Sequence, residues 1–369
     1  MSDHQCPSAS ANHDADTNPE NARRCRQPQR QLNLKPYNTF GIAATARAVY
    51  TLDELAQVDE VLGAIRDASP PLILSGGSNL LLARDLIEPV LLVRTQGRHL
   101  VDRQGDTVLL DIAAGEIWHD IVRWTIAQGY GGLENLALIP GRAGAAPWQN
   151  IGAYGVEVGD CIESVAAIHL ITGERRRFSA ADCAFGYRQS FFKTPEGRQW
   201  LIISVRLRLS TRFEPRLGYA ELASALPCGR LTAAQVADTV EVIRRRKLPD
   251  PAVLGNAGSF FHNPVVSAEV VERLREQYPG MRAHPTTPDS KRAAPNDTSF
   301  KLSAGWLIDQ CGWKGHREGD AGVSPNHALV LVNHGNATGQ QILALANRIQ
   351  QSVFERFGVS LHPEPVIIR

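Results

Sequence analysis

Between Gly132 and Gly155 the chain runs Gly132-Leu133-Glu134-Asn135-Leu136-Ala137-Leu138-Ile139-Pro140-Gly141-Arg142-Ala143-Gly144, then on through Pro147-Trp148-Gln149-Asn150-Ile151-Gly152-Ala153-Tyr154-Gly155. This stretch is too apolar for an exposed loop and too rich in Gly and Pro for a regular strand or helix. A buried irregular segment must still satisfy its backbone N–H and C=O groups. A bound ligand studded with acceptors does this economically, and a flat aromatic cofactor fits the description. The alternative is a proline-rich connection packed between domains.

A second glycine-rich stretch lies upstream. The buried-strand signal Leu72-Ile73-Leu74 empties into Ser75-Gly76-Gly77-Ser78-Asn79-Leu80. Glycines permit tight curvature, and two hydroxyls and an amide add donors, so this turn can cradle a pyrophosphate. It has neither the GxGxxG spacing of a dinucleotide fold nor the lysine of a P-loop. An ordinary tight loop is the competing interpretation.

Three chemical groups stand out elsewhere. Ser259 lies in Gly255-Asn256-Ala257-Gly258-Ser259-Phe260-Phe261-His262-Asn263, where small neighbours allow close approach and two rings are expected to exclude water. Arg188 sits among aromatics in Phe185-Gly186-Tyr187-Arg188-Gln189-Ser190-Phe191-Phe192-Lys193, and suits a planar carboxylate unless it only stacks. Glu364 is held between Pro363 and Pro365. The basic run Arg244-Arg245-Arg246-Lys247 reads as a solvated helix end, with Lys247 closest to the serine stretch.

At 369 residues the chain predicts two or three structural units. With 39 basic and 38 acidic residues the net charge is +1, so no bulk field gathers nucleic acid or an anionic membrane. Six scattered cysteines show no CxxC pair, which supports neither a metal site nor a disulfide framework and makes reduced thiols in the cytoplasm the default. Residues 1–31 read as a disordered polar tail with no secretory signal, and no apolar run is long enough to span a membrane.

Helical periodicity is expected over residues 53–68, 117–128, 232–246, 268–278 and 339–357, with β patterns over 72–74, 90–93, 108–112, 162–209 and 329–332. The change from β-rich to helix-rich sequence after Thr211 predicts a domain boundary. The expected division is 32–211, then 212–360, with 361–369 returning to the site.

The ordered blocks from Leu34-Lys35-Pro36-Tyr37-Asn38-Thr39-Phe40-Gly41-Ile42 through Ala304-Gly305-Trp306-Leu307-Ile308-Asp309 to Pro363-Glu364, including every motif quoted above, resemble the UDP-N-acetylenolpyruvoylglucosamine reductases of bacterial cell-wall synthesis. The resemblance implies an α+β fold: a vanillyl-alcohol-oxidase-type FAD-binding module of two subdomains plus a smaller α+β substrate-binding domain. It also implies non-covalent FAD, with NADPH and UDP-N-acetylglucosamine-enolpyruvate as substrates, and a cytoplasmic monomer. Arg188, Ser259 and Glu364 match the family's catalytic positions. Ser75, Gly76, Gly77, Ser78, Asn79, Leu80, Pro140, Gly141, Gly144, Gln149, Asn150, Gly152, Ala153 and Tyr154 match cofactor-binding positions. Tyr187, Tyr219, Lys247, Asn263 and Gln310 match positions near the sugar nucleotide, and Gly218-Tyr219 resembles the form with an extra tyrosine loop. The chain departs from the family at Ala145 and Ala146, where some members carry hydroxyls, and at Arg142 and Pro365. A covalent-flavin oxidase of the same fold and a sugar-nucleotide binding protein without catalysis are the rival interpretations.

Overall fold

The computed structural model describes residues 27–66, 69–286 and 299–369. Three sheets carry the molecule. In the first, the strands Gln29–Asn33, Thr45–Leu52, Val90–Val93 and Leu72–Leu74 lie in that order, with Val90–Val93 parallel to both its neighbours. All four residues of Val90–Val93 are buried. Its side chains alternate between two cores: Leu91 and Val93 enter one, Val90 and Leu92 the other. A continuous apolar run is what a strand covered on both faces requires.

The second sheet is antiparallel, in the order Arg175–Ser179, Ile162–His169, Trp200–Ser210, Thr107–Ala113 and Arg98–Gln104. Thr107–Ala113 buries every second residue, as the alternation in its sequence predicts. The helix Trp118–Ala127 supplies Trp118, Ile121 and Val122 to the same core. So does the helix Ala233–Lys247, through Val236, Ala237, Val240 and Ile243. This helix follows the expected boundary at 211, yet its apolar face is buried with the second sheet.

The third sheet joins Gly255–Asn256, Leu331–Asn333, Ala321–Val323 and Arg317–Glu318, all antiparallel. It packs with the 19-residue helix Gly339–Phe357, which opens on a Thr338 capping box and closes on Gly358 at φ +67°. Residues 132–155 form short 3-10 turns and a two-residue strand, the irregular course that their composition predicts.

Two expectations need correction. The first sheet begins at Gln29, so the ordered chain starts before the boundary set at residue 31; residues 1–26 lie outside the described region. The rings of Phe260 and Phe261 pack against each other and Phe40 in the core, both 1 % exposed, instead of facing a ligand.

The site is positioned by the last strand. Val366–Ile368 pairs in parallel with Leu80–Leu82, directly after the glycine-rich turn. On its approach the chain bonds Phe260 and His262: Glu364 N–H donates to Phe260 O (2.8 Å), and His262 N–H donates to His362 O (2.9 Å). Remote segments are thereby sewn together by backbone hydrogen bonds.

Candidate active site

A cavity of about 470 Å³ opens where these segments meet. Ser75 through Leu80 all line it, as do Pro140, Gly144, Gln149 and Gly152 from the irregular segment, and Arg188, Ser259 and Glu364. Sequence residues from five separate regions therefore share one space.

The two glycine-bearing loops close on each other tightly. A Cβ on Gly76 would stand 2.8 Å from Gly141 Cα, and one on Gly77, at φ +58°, would stand 2.0 Å from Tyr37 O. Only glycine fits either position. Ser78 Oγ donates to Pro140 O at 3.1 Å, and Asn79 Nδ2 donates to Gln149 Oε1. Gly141 thus shapes the cradle from behind, without lining the cavity.

Asn150, Ala153 and Tyr154 do not line it either. Asn150 spends its amide on Glu157 Oε2 (2.6 Å), Gly186 O (3.0 Å) and Gly159 N–H (2.8 Å), which fixes the segment. Ala153 pairs with Val156 in a two-stranded ladder. Tyr154 meets Tyr219 edge to face at 5.2 Å, and burial pushes its phenol up to about 12.

At the reactive group, Arg188 Nε donates to Glu364 Oε1 at 2.8 Å, and Nη2 donates to Gly152 O at 2.9 Å. The two side chains are 18 % and 11 % exposed. Burial pushes the Glu364 carboxyl above the usual carboxylate range, although Arg188 and Lys193 pull the other way. His262 Nδ1 stands 3.9 Å from Glu364 Oε2, but burial, aided by Lys193 and Arg188, holds its pKa at about 4, so the pair is not ionic at neutral pH. Ser259 is half-buried, and its hydroxyl makes no hydrogen bond to the described residues.

The residues matched to the sugar nucleotide are dispersed around this group. Lys301 Nζ lies 3.7 Å from the centre of the Tyr187 ring, and Arg188 lies 5.5 Å from it. Lys247 is bonded to Glu221 Oε2, and neither it nor Tyr219 lines the cavity. Asn263 Oδ1 accepts from Ala304 N–H at 3.0 Å. Gln310 is exposed at the end of the helix Ala304–Gln310, where its carbonyl accepts from Arg356.

Arg244 was read as part of a solvated face, yet it lines the cavity with its side chain half-buried, and desolvation lowers its pKa. Its register gave the signal: Val236, Val240 and Arg244 are spaced by four, on the buried face of the helix. Its neighbours Arg245 and Arg246 do face outward, to Glu241 and Glu221. Arg142 also enters the cavity and bonds Gly115 O.

The cavity fits a flavin dinucleotide on the protein's own terms. Ser75 Oγ is buried without a hydrogen-bond partner among the described residues, in a glycine turn that side chains cannot occupy. An acceptor on a ligand seated in the turn would satisfy this hydroxyl. The apolar side of the cavity, including Trp118, Ile139, Trp148 and Ile202, suits an aromatic ring system. Among the described residues no cluster could hold a metal, and no helix is long and apolar enough to cross a membrane.

The chain is similar to known proteins along most of its length. The family "FAD binding domain" matches residues 46–179, and "UDP-N-acetylenolpyruvoylglucosamine reductase, C-terminal domain" matches residues 250–368. The UDP-N-acetylenolpyruvoylglucosamine reductase of Pseudomonas putida is 51% identical over 92% of this chain and 98% of its own length. That of Pseudomonas aeruginosa is 49% identical over 91% and 98%. The crystal structure of the Thermus caldophilus reductase superposes with a TM-score of 0.64 at 26% identity, covering 93% of this chain and 99% of that one. The fold is accordingly α+β, with an FAD-binding domain and the reductase C-terminal domain, in an FAD-dependent oxidoreductase. About half identical to these enzymes along nearly its whole length, and matched by the reductase family's C-terminal domain, the chain belongs to the UDP-N-acetylenolpyruvoylglucosamine reductase family.

Proposed function

We propose that the protein uses NADPH to reduce UDP-N-acetylglucosamine-enolpyruvate to UDP-N-acetylmuramate for peptidoglycan precursor synthesis, as a cytoplasmic monomer. The observation that carries this reading is the Arg188–Glu364 pair, which lines one cavity together with Ser259 and the glycine-rich cradle. FAD, when bound, relays hydride from NADPH to the substrate.

An enolpyruvyl ether is an alkene made electrophilic only by its carboxylate. Hydride addition to its terminal carbon drives the electron pair toward that carboxylate, and fixed donors lower the barrier most where charge develops. Arg188 supplies them. Its Nη1 has no protein partner among the described residues and stands ready for a carboxylate oxygen. Glu364, whose carboxyl burial pushes upward, donates a second hydrogen bond to the same group in its protonated form. Ser259 Oγ then gives its proton to the carbon next to the carboxylate and recovers one from solvent. A hydroxyl is a weak acid, but a carbanion-like centre is a strong base, so orientation suffices.

Tyr187, Tyr219, Lys247 and Asn263 are assigned to the sugar nucleotide; Lys247 would exchange Glu221 for a diphosphate oxygen. No observation favours a covalent flavin or a catalytically silent binding protein.

Rapid-mixing absorbance of the flavin tests the serine. Ser259→Ala should leave bleaching by NADPH within a few-fold of wild type and slow recovery of colour on adding the enolpyruvyl substrate by roughly 10²–10⁴-fold. Equal loss in both halves removes Ser259 from the proton-donor role.

A further inference from the structure

The segment that carries Arg188 ends in a lysine the mechanism above leaves unused. Gly186 and Gln189 exchange backbone hydrogen bonds of 3.1 and 3.0 Å, so Tyr187 and Arg188 form the two-residue tip of a tight turn. Arg188 lies in the left-handed region at φ +55°. A residue with a side chain stays there only when its surroundings hold it. The holding group is Lys193, whose Nζ donates to the Arg188 carbonyl at 2.9 Å.

Lys193 reaches back from a rigid base. It ends the short turn Phe191–Lys193, in which Phe192 is fully buried. Phe191 N–H donates to Cys183 O at 2.7 Å, and Ser190 Oγ donates to Trp148 O at 2.6 Å. The ammonium is half-buried and acts on both Glu364 and Arg188.

We infer that Lys193 is a positioning residue for the reaction assigned above: it clasps the carbonyl of the left-handed Arg188, so that the guanidinium points at Glu364, and it is the second fixed cation beside that carboxyl. This rests on the functional reading just given.

Charge gives the inference a signature that a purely structural role lacks. The groups facing Glu364 are Arg188, Lys193, Tyr187 and His262. Burial pushes the Tyr187 phenol upward, and His262 is neutral above about pH 4. Lys193 is therefore the cation that substitution can remove without touching the Arg188–Glu364 bond partners. Without it, the Glu364 carboxyl keeps its proton to higher pH. The reaction uses that protonated carboxyl, so the alkaline limb of the substrate-reducing half-reaction moves upward.

The experiment uses FAD-loaded Lys193→Met, Lys193→Gln and Lys193→Arg in rapid mixing across pH. Flavin reduction by NADPH stays within about twofold of wild type in all three, while reoxidation by the enolpyruvyl substrate slows roughly ten- to hundredfold in Lys193→Met, the size expected of a misaligned reacting group. The alkaline limb moves up in the Met and Gln variants and returns in the Arg variant. Unchanged reoxidation, equal slowing of both halves, or slowing with an unmoved limb each overturns the inference. If the Met variant loses FAD, the Gln variant, which keeps a donor but no charge, carries the same readouts. Failure of the wild-type holoenzyme to turn over the substrate with NADPH would instead overturn the functional assignment.

Discussion

His262 shows how burial and two nearby cations constrain an imidazole at the edge of the site. Its imidazole, beside Lys193 and Arg188, titrates at about 4, against an ordinary value near 6.5. Between those values the unfolded chain binds more protons than the folded one, so stability is complete above pH 6.5 and declines as pH falls toward 4. The decline from this one group is up to about 3 kcal/mol. In urea unfolding, wild type should lose roughly 2–3 kcal/mol more stability than His262→Gln on going from pH 7 to 4.5. Equal acid sensitivity would mean that His262 is not the group responsible. Its neighbour Ser259 and the Arg188–Glu364 pair were legible in the sequence as residue types, because each sits in an unusual local composition. That Phe260 and Phe261 turn into the core was not legible, since a ring next to a reactive hydroxyl reads identically in either orientation.

Elements divide into those whose sequence states their structure and those that need a partner to do so. The helix Gly339–Phe357 is of the first kind: Thr338, its capping box, an apolar stripe and Gly358 all lie within a short span of sequence, and the expected bounds coincide with those observed. The turn at Ser75–Asn79 is of the second kind, because its purpose depends on Gly141 and Tyr37, which approach from elsewhere. Two substitutions separate these cases. Thr338→Ala should cost about 1 kcal/mol in chemical denaturation and leave the flavin spectrum unchanged. Gly77→Ala forces a Cβ into Tyr37 O at a left-handed φ, and should cost more than about 2 kcal/mol and release FAD during gel filtration. A Gly77→Ala protein that retained its colour would show that the turn can yield, and the cradle would then not be the rigid element described. The burial of Arg244 belongs to the first kind as well, since its place four residues after Val240 is written in the helix register.

Across the whole molecule, the two cores do not follow the order of the chain. One holds residues from Leu34 to Leu92 together with residues from Ala257 to Leu361, and the other joins the second sheet to the helix Ala233–Lys247. A change in composition after Thr211 marked a shift in secondary structure, but apolar faces carry no address, so the sequence did not reveal which core the following helix would join. The strand Val366–Ile368 completes the arrangement, with Val366 and Ile368 lining the cavity and Glu364 delivered to Arg188. Ending the chain at Leu361 should abolish both yellow colour and turnover while leaving most of the far-ultraviolet circular dichroism. Retention of bound flavin would show that the cradle stands without this strand.

Because Val366–Ile368 must find Leu80–Leu82 across most of the polypeptide, this ladder closes one of the largest loops in the molecule. On dilution from denaturant, local helices and hairpins form well before that closure. The protein should therefore regain its ellipticity first and its ability to quench added flavin fluorescence last, becoming an enzyme only after it already looks folded.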